Sequence, residues 1–159
     1  MGYDELVAEL LEREKVEVVE SNRIKPLKGL CIDNVLTLNP NIETMAEKKC
    51  VLAEEVGHYH LTGGNILNQK DIKNRRQERR AREWAYERLV PPCALLYAHM
   101  EGIVSGYDIA EFLDITEEFL YSALKYYDNK YGKYRLGNYL INFWPLFIIN
   151  IKERLEWEA

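Results

Sequence analysis

Hydrophobic residues recur along the first half of the chain with two different periods. Leu6, Leu10 and Leu11 stand among charged residues at helical spacing, whereas the short apolar runs that follow are rich in β-branched residues. Asp33 and Asn34, which tolerate turn conformations, separate two of these runs. The pattern predicts a helix from Tyr3 to about Glu14, a strand at Val16–Val19, a hairpin of Leu30–Ile32 with Val35–Leu38, and a helix from Ile42 to about His58.

The second half is predicted to be helical first and strand-like afterwards. A loop is expected from Thr62–Asn65 to about Asn74, and Pro91 and Pro92 end the long helix that follows it. We expect helices at Arg75–Leu89, Cys93–Met100, Ser105–Leu113 and Thr116–Tyr127, strand-like segments over Lys133–Ile151, and a short charged tail. The pattern at 105–127 is that of a helix-turn-helix-like unit.

These elements predict an α+β fold in a single domain over residues 1–159, with a small antiparallel sheet packed on the helix that ends near His58. A chain of 159 residues is large enough to bury one core. It carries 47% hydrophobic and 30% charged residues and lacks an apolar run that could span a membrane. The N-terminus is acidic where a signal peptide is basic, so we expect a cytoplasmic protein that does not bind membranes.

Two further features of composition narrow the class of protein. Cys31, Cys50 and Cys93 form no CxxC pair and are odd in number, which favours buried free thiols over disulfides. The net charge of −5 gives no general attraction to nucleic acid.

The segment Leu52–His60 carries the candidate chemistry. In H-E-x-x-H helices, two His at i and i+4 bind zinc and the Glu between them activates water. Here the first His is replaced by Glu54, which lies only about 40° from His58 around a helix axis, so that the two can still share one cation. Glu55 keeps the position of the general base. The alternative for Glu54 and Glu55 is an ordinary solvated acidic pair.

A third ligand must come from elsewhere in the chain, and the best candidate is Glu78 at the start of the next helix. The residues from there onward resemble the second motif of the ImmA/IrrE family of metallopeptidases, which follows an H-E-x-G-H helix. The resemblance covers about Lys28 to Pro145 and extends to the phage and mobile-element branch of the family. It is carried by Glu78, Ala81, Trp84, Ala85, Leu89, Val90 and Pro91, and by Asn65–Leu67 and Tyr107–Leu124 around them.

The resemblance implies a small zincin-like endopeptidase that cleaves, or helps inactivate, a helix-turn-helix repressor encoded beside it. By analogy Glu54, His58 and Glu78 hold zinc, or another divalent metal held weakly, and Glu55 deprotonates the water. The chain departs from the family at Glu54, where the pattern has His, and at Arg82, where it often has Asn. The first departure leaves open a pseudo-peptidase that binds the repressor without cutting it.

The remaining polar motifs have competing interpretations. His60 is either a reserve ligand or substrate contact, or a His that bonds the last carbonyls of its helix. The arginines at 75–82 are offset by nearby acids, which favours a solvated helix face over a nucleic-acid site. Glu117 and Glu118 begin the second helix of the helix-turn-helix-like unit and would repel phosphate, so we expect no direct nucleic-acid binding and interpret this unit as structural or protein-facing.

Overall fold

The computed structural model describes residues 1–62 and 72–158. Both helices and sheets are present, which confirms the α+β class. In chain order the elements are α1 (Tyr3–Glu9), a π-helical segment (Leu10–Glu14), β1 (Glu17–Glu20), a 3-10 turn (Asn22–Ile24), β2 (Gly29–Ile32), β3 (Val35–Leu38), α2 (Met45–Thr62), α3 (Ile72–Leu89), α4 (Pro92–Met100), α5 (Gly106–Leu113), α6 (Glu117–Tyr131), β4 (Lys133–Leu136), β5 (Tyr139–Asn142), β6 (Phe147–Asn150) and α7 (Ile151–Glu158).

The first sheet has the strand order β1-β3-β2 and contains the predicted hairpin. β2 and β3 are antiparallel, with Cys31 opposite Leu36, and Asp33 adopts a positive φ of 51° in the turn. The sheet is mixed rather than wholly antiparallel, because β1 pairs in parallel with β3. The chain leaves β1, crosses to the far edge to form β2, and returns through β3, which fills the place between them.

Helix α2 carries the candidate motif and differs from its prediction at both ends. It begins at Met45 rather than Ile42, because the Thr44 hydroxyl accepts a hydrogen bond from the Glu47 backbone N–H at 3.1 Å and caps the helix. The helix continues to Thr62, beyond the end predicted near His58. Gly57 does not end the helix; it lies against the neighbouring helix instead.

Helices α2 and α3 pack closely at Gly57. A Cβ atom on Gly57 would lie 2.5 Å from the carbonyl oxygen of Ala81 and 2.9 Å from its Cα. Ala81 and Ala85 are fully buried, so small residues on α3 face the motif helix. This contact brings the residue after Gly57, which is His58, beside the first half of α3.

Two clusters of buried side chains meet at this helix pair. Leu52 and Val56 of α2 belong to the cluster under the first sheet and α1, whereas Cys50 and Ala53 belong to the cluster of the helical half. Trp84 of α3 packs against both clusters. α2 therefore lies between the two parts of the core, with its motif at their junction.

The helix-turn-helix-like unit consists of α5 and α6. Ser105 and Thr116 cap these helices with their side chains. The buried Lys49 of α2 donates a hydrogen bond from Nζ to the carbonyl oxygen of Leu113 at 2.7 Å, which ties this unit to the motif helix.

The C-terminal segment forms a second sheet of order β4-β5-β6, which confirms the strand-like prediction. Its buried residues Ile141 and Phe143 join the core cluster of the helical half, where Phe143 stacks on Tyr127. The residues predicted as a charged tail form α7.

The remaining expectations are met in part. Cys31, Cys50 and Cys93 are free, the first two buried and the third exposed. In the described ranges, no helix has the length and apolar character needed to cross a bilayer. The predicted loop and Asn65–Leu67 fall almost wholly on 63–71, outside the described residues, and the single domain over 1–159 stays a prediction.

The contact at Gly57 predicts an unusual response to alanine. In a helix interior, Gly→Ala normally stabilises by about 1 kcal/mol. At Gly57 the added methyl group overlaps the Ala81 backbone, so Gly57→Ala should lower the free energy of unfolding by about 1–3 kcal/mol, as overpacking does. Urea unfolding measures this change. Gly2→Ala is the control, because nothing lies within 4 Å of a Cβ there, and equal stability of the two variants would contradict the close contact.

Candidate metal centre

The predicted site residues lie at the crossing of α2 and α3. His58 Nε2 lies 3.2 Å from Glu78 Oε1, which joins the two sequence motifs directly. His58 is 9% exposed, whereas Glu54, Glu55 and Glu78 are partly buried. The crossing therefore places one imidazole among three carboxylates.

The contact between His58 and Glu78 controls the charge of both groups. Burial disfavours the protonated imidazole, but the hydrogen bond and negative charge of Glu78, together with the charges of Glu55 and Glu54, raise the pKa of His58 above its usual value. The same hydrogen bond lowers the pKa of Glu78. A neutral imidazole and a carboxylate are the forms that bind metal, so a cation would compete with the proton for this position.

The side chain of Glu54 lies near this pair but does not form a metal-ligand arrangement with it. Burial is the main cause that raises its pKa, the charge of Arg82 opposes the rise, and the charge of Glu78 adds to it. Among the described residues, no three His, Cys, Asp or Glu side chains are arranged as a metal site. The structure thus brings two of the three predicted ligands together and leaves Glu54 beside them.

Glu55 packs on the first sheet through a glycine. A Cβ atom on Gly29 would lie 2.7 Å from Glu55 Cγ and 2.8 Å from Oε1, so only glycine leaves room for this side chain. Burial raises the pKa of Glu55 to about 7, the charge of His58 opposes the rise, and Glu78 and Glu54 add to it. A carboxyl group with this pKa can take up and return a proton near neutral pH.

Gly29 was not among the predicted site residues, although its position at the edge of a strand was a signal for it. A glycine at the edge of a predicted strand often marks a close approach of another group to the backbone. Which side chain lies against Gly29 depends on how α2 packs on β2, and the sequence alone does not determine this packing.

The donor atoms can be tested against the geometry of a metal ion. Two ligands of a tetrahedral zinc ion, each bonded at about 2.0–2.1 Å, are separated by about 3.3 Å. The 3.2 Å between His58 Nε2 and Glu78 Oε1 is a hydrogen-bond distance, and it also leaves the two atoms close enough to share one cation in place of the proton. One imidazole and carboxylate oxygens are also accepted zinc donors. The pair therefore fits a divalent cation.

The other histidines make contacts outside this pair. His60 Nε2 lies 3.2 Å from Glu14 Oε2, and its ring lies 5.1 Å from that of Trp84, so it links α2 to the π-helical segment. His99 meets Tyr139 edge to face, in agreement with a packing role. The reserve-ligand interpretation of His60 stays a prediction.

The charged helices agree with the solvated interpretation. Arg79 Nε pairs with Glu83 Oε1 at 2.9 Å, one helical turn away, and both Glu117 and Glu118 are exposed at the start of α6.

A sequence profile of known proteins matches most of the chain. The searches of curated proteins and of solved structures gave no match. A sequence profile of the IrrE N-terminal-like domain matches residues 11–125, which include the first sheet, both motif helices and most of the helix-turn-helix-like unit. The chain therefore belongs to the IrrE N-terminal-like (Peptidase_M78) family, whose members are typically metal-dependent peptidases.

Proposed function

We propose that this protein is a divalent-metal-dependent endopeptidase. The observation that carries the proposal is the convergence of His58 Nε2 and Glu78 Oε1 at a spacing suited to one cation. Glu54 supplies the third ligand from one helical turn before His58. Membership of a peptidase family supports the same reaction class.

The ligand set suits a weakly held ion. Two carboxylates and one imidazole are less selective for zinc than a site with two imidazoles, so zinc or another divalent metal binds and exchanges readily. Arg82 adds a positive charge near both Glu54 and Glu78, and this charge further weakens the binding of a cation there.

Glu55 is the proton carrier of the reaction. When bound, the cation polarises the scissile carbonyl and acidifies water. Glu55 takes the proton from the attacking water and returns it to the leaving amine. Gly29 fixes the carboxyl group by letting it lie directly against β2. The partly buried surroundings of Glu55 limit competition from bulk water.

The proposed substrate is a helix-turn-helix repressor encoded beside this protein in a phage or mobile element, and the proposed compartment is the cytoplasm. Resemblance to the ImmA/IrrE metallopeptidases supports this choice. A protein partner also agrees with the exposed acidic start of α6, which is unsuited to DNA.

A non-catalytic repressor-binding protein is the second candidate. It is favoured by Glu54, which stands where the family pattern has His, and by Arg82, whose charge acts on two of the proposed ligands. Such a protein would keep the fold and the partner but not the metal. Cleavage and metal binding, measured separately, distinguish the two functions.

A substitution at Glu55 tests its role as the base. Glu55→Gln should leave folding and metal content unchanged and should slow cleavage of the neighbouring repressor by roughly 100-fold or more, because an amide cannot accept the proton. Gel assays of repressor cleavage, with elemental analysis of both proteins, provide the measurement. Glu43→Gln, at an exposed position before α2, should cleave normally. Undiminished cleavage by Glu55→Gln excludes this residue as the base, and binding without cleavage by the wild type favours the second candidate.

A substitution at Glu54 tests its role as the third ligand. Glu54→His places an imidazole one turn from His58 and should tighten zinc binding by about tenfold or more. Competition with a coloured chelator measures the affinity. Glu47→His, which makes the same exchange two turns earlier on α2, should leave the affinity unchanged, and His58→Ala should abolish binding. If Glu54→His and His58→Ala both bind zinc as the wild type does, this helix carries no metal site.

A further inference from the structure

A groove of about 940 Å³ runs between α3 and α6 and reaches the candidate centre at Glu78. Its walls carry four cationic side chains, Arg75, Arg79, Arg82 and Lys125. The carboxylates in the lining are Glu78 and Glu83. Cations therefore outnumber anions here, although the chain as a whole has a net charge of −5.

The carboxylates in the groove are already engaged. Glu83 pairs with Arg79 at 2.9 Å, and Glu78 contacts His58 at 3.2 Å. None of the salt bridges in the described part of the chain involves Arg75, Arg82 or Lys125. Arg75 and Lys125 are exposed, and Lys125 Nζ lies 5.0 Å from the centre of the Trp144 ring. Arg79 is therefore compensated by Glu83, and the charge of Arg82 acts on Glu54 and Glu78. Arg75 and Lys125 are the groove cations that have no carboxylate partner among the described residues.

The charge changes sign on the other side of the centre. A second cleft shares Arg82, Tyr86 and Ser122 with the groove, and its carboxylates are Glu47, Glu54 and Glu118. Lys28 pairs with Glu47 at 2.7 Å, and its charge also acts on Glu54 and Glu118. The three carboxylates of this cleft outnumber its two cations, Lys28 and Arg82. A chain lying across Glu54 and Glu78 would meet negative charge on one side and positive charge on the other.

We propose that the groove between α3 and α6 binds an acidic segment of the polypeptide on which this protein acts. The proposal rests on the proposed function, because it places that segment beside the candidate centre. Carboxylates of the segment pair with Arg75, Arg82 and Lys125. A nucleic acid is disfavoured, because its continuous phosphate charge would also meet Glu78, Glu83 and the acidic cleft.

The test measures binding separately from cleavage. A short fluorescein-labelled peptide rich in Glu, and its twin with Gln in place of each Glu, are titrated with Glu55→Gln protein, and fluorescence anisotropy reports binding. The Glu peptide should bind more tightly, and added salt should weaken it, as screening of exposed charges requires. Chelator should leave this binding unchanged.

Paired charge reversals locate the binding site. Arg75→Glu with Lys125→Glu alters the groove, whereas Arg76→Glu with Arg80→Glu makes the same change in net charge at exposed α3 positions outside the groove lining. The first double variant should bind the Glu peptide about tenfold or more weakly, and the second should lose much less affinity. Thermal melts should show both variants folded, because all four side chains are exposed.

The outcomes separate this inference from the proposed function. No preference for the Glu peptide, equal loss in both double variants, or tighter binding of a single-stranded oligonucleotide overturns the inference. If the protein shows any of these results but still cleaves a repressor, the proposed peptidase function stands. If the protein binds the Glu peptide through Arg75 and Lys125 but never cleaves a repressor, the binding role of the groove is supported and the peptidase function is contradicted.

Discussion

The contact between Gly57 and the backbone of Ala81 positions α2 against α3, and the neighbouring elements are arranged around this pair. A methyl group on Gly57 would lie 2.5 Å from the Ala81 carbonyl oxygen, so the helices can approach this closely only because residue 57 has no side chain. His58 follows Gly57 directly, and Glu78 precedes Ala81 by one helical turn. The same approach therefore produces the 3.2 Å contact between His58 and Glu78, and it places the two hydrophobic clusters on either side of α2.

Most of the elements could be predicted from the sequence because their causes are local. Apolar periodicity, helix caps such as Thr116 and the Asp33–Asn34 turn each act within a few residues. The errors arose where tertiary packing decides. Gly57 weakens an isolated helix, but α2 stays helical at this residue because it packs on α3. The parallel pairing of β1 depends on how the chain crosses the sheet.

The site was predictable only to the extent that its motifs are short. Glu54, Glu55 and His58 lie within two helical turns, and family resemblance added Glu78. Gly29 beneath Glu55, and the groove that Lys125 lines, arise from contacts between distant segments and could not be predicted. The charges around the site are mixed, which supports our proposal of a weakly held ion. Buried carboxylates favour a cation, but His58 and Arg82 already supply positive charge beside them.

The proposed function requires the crossing of α2 and α3 to bind one divalent cation. Anomalous diffraction from crystals soaked in zinc, recorded on both sides of the zinc absorption edge, tests for this ion. We expect a single strong peak between His58 Nε2 and Glu78 Oε1, with Glu54 as a further ligand. The absence of a peak there, or a peak only at other carboxylates such as Glu47, would contradict the account and leave the family fold without its metal.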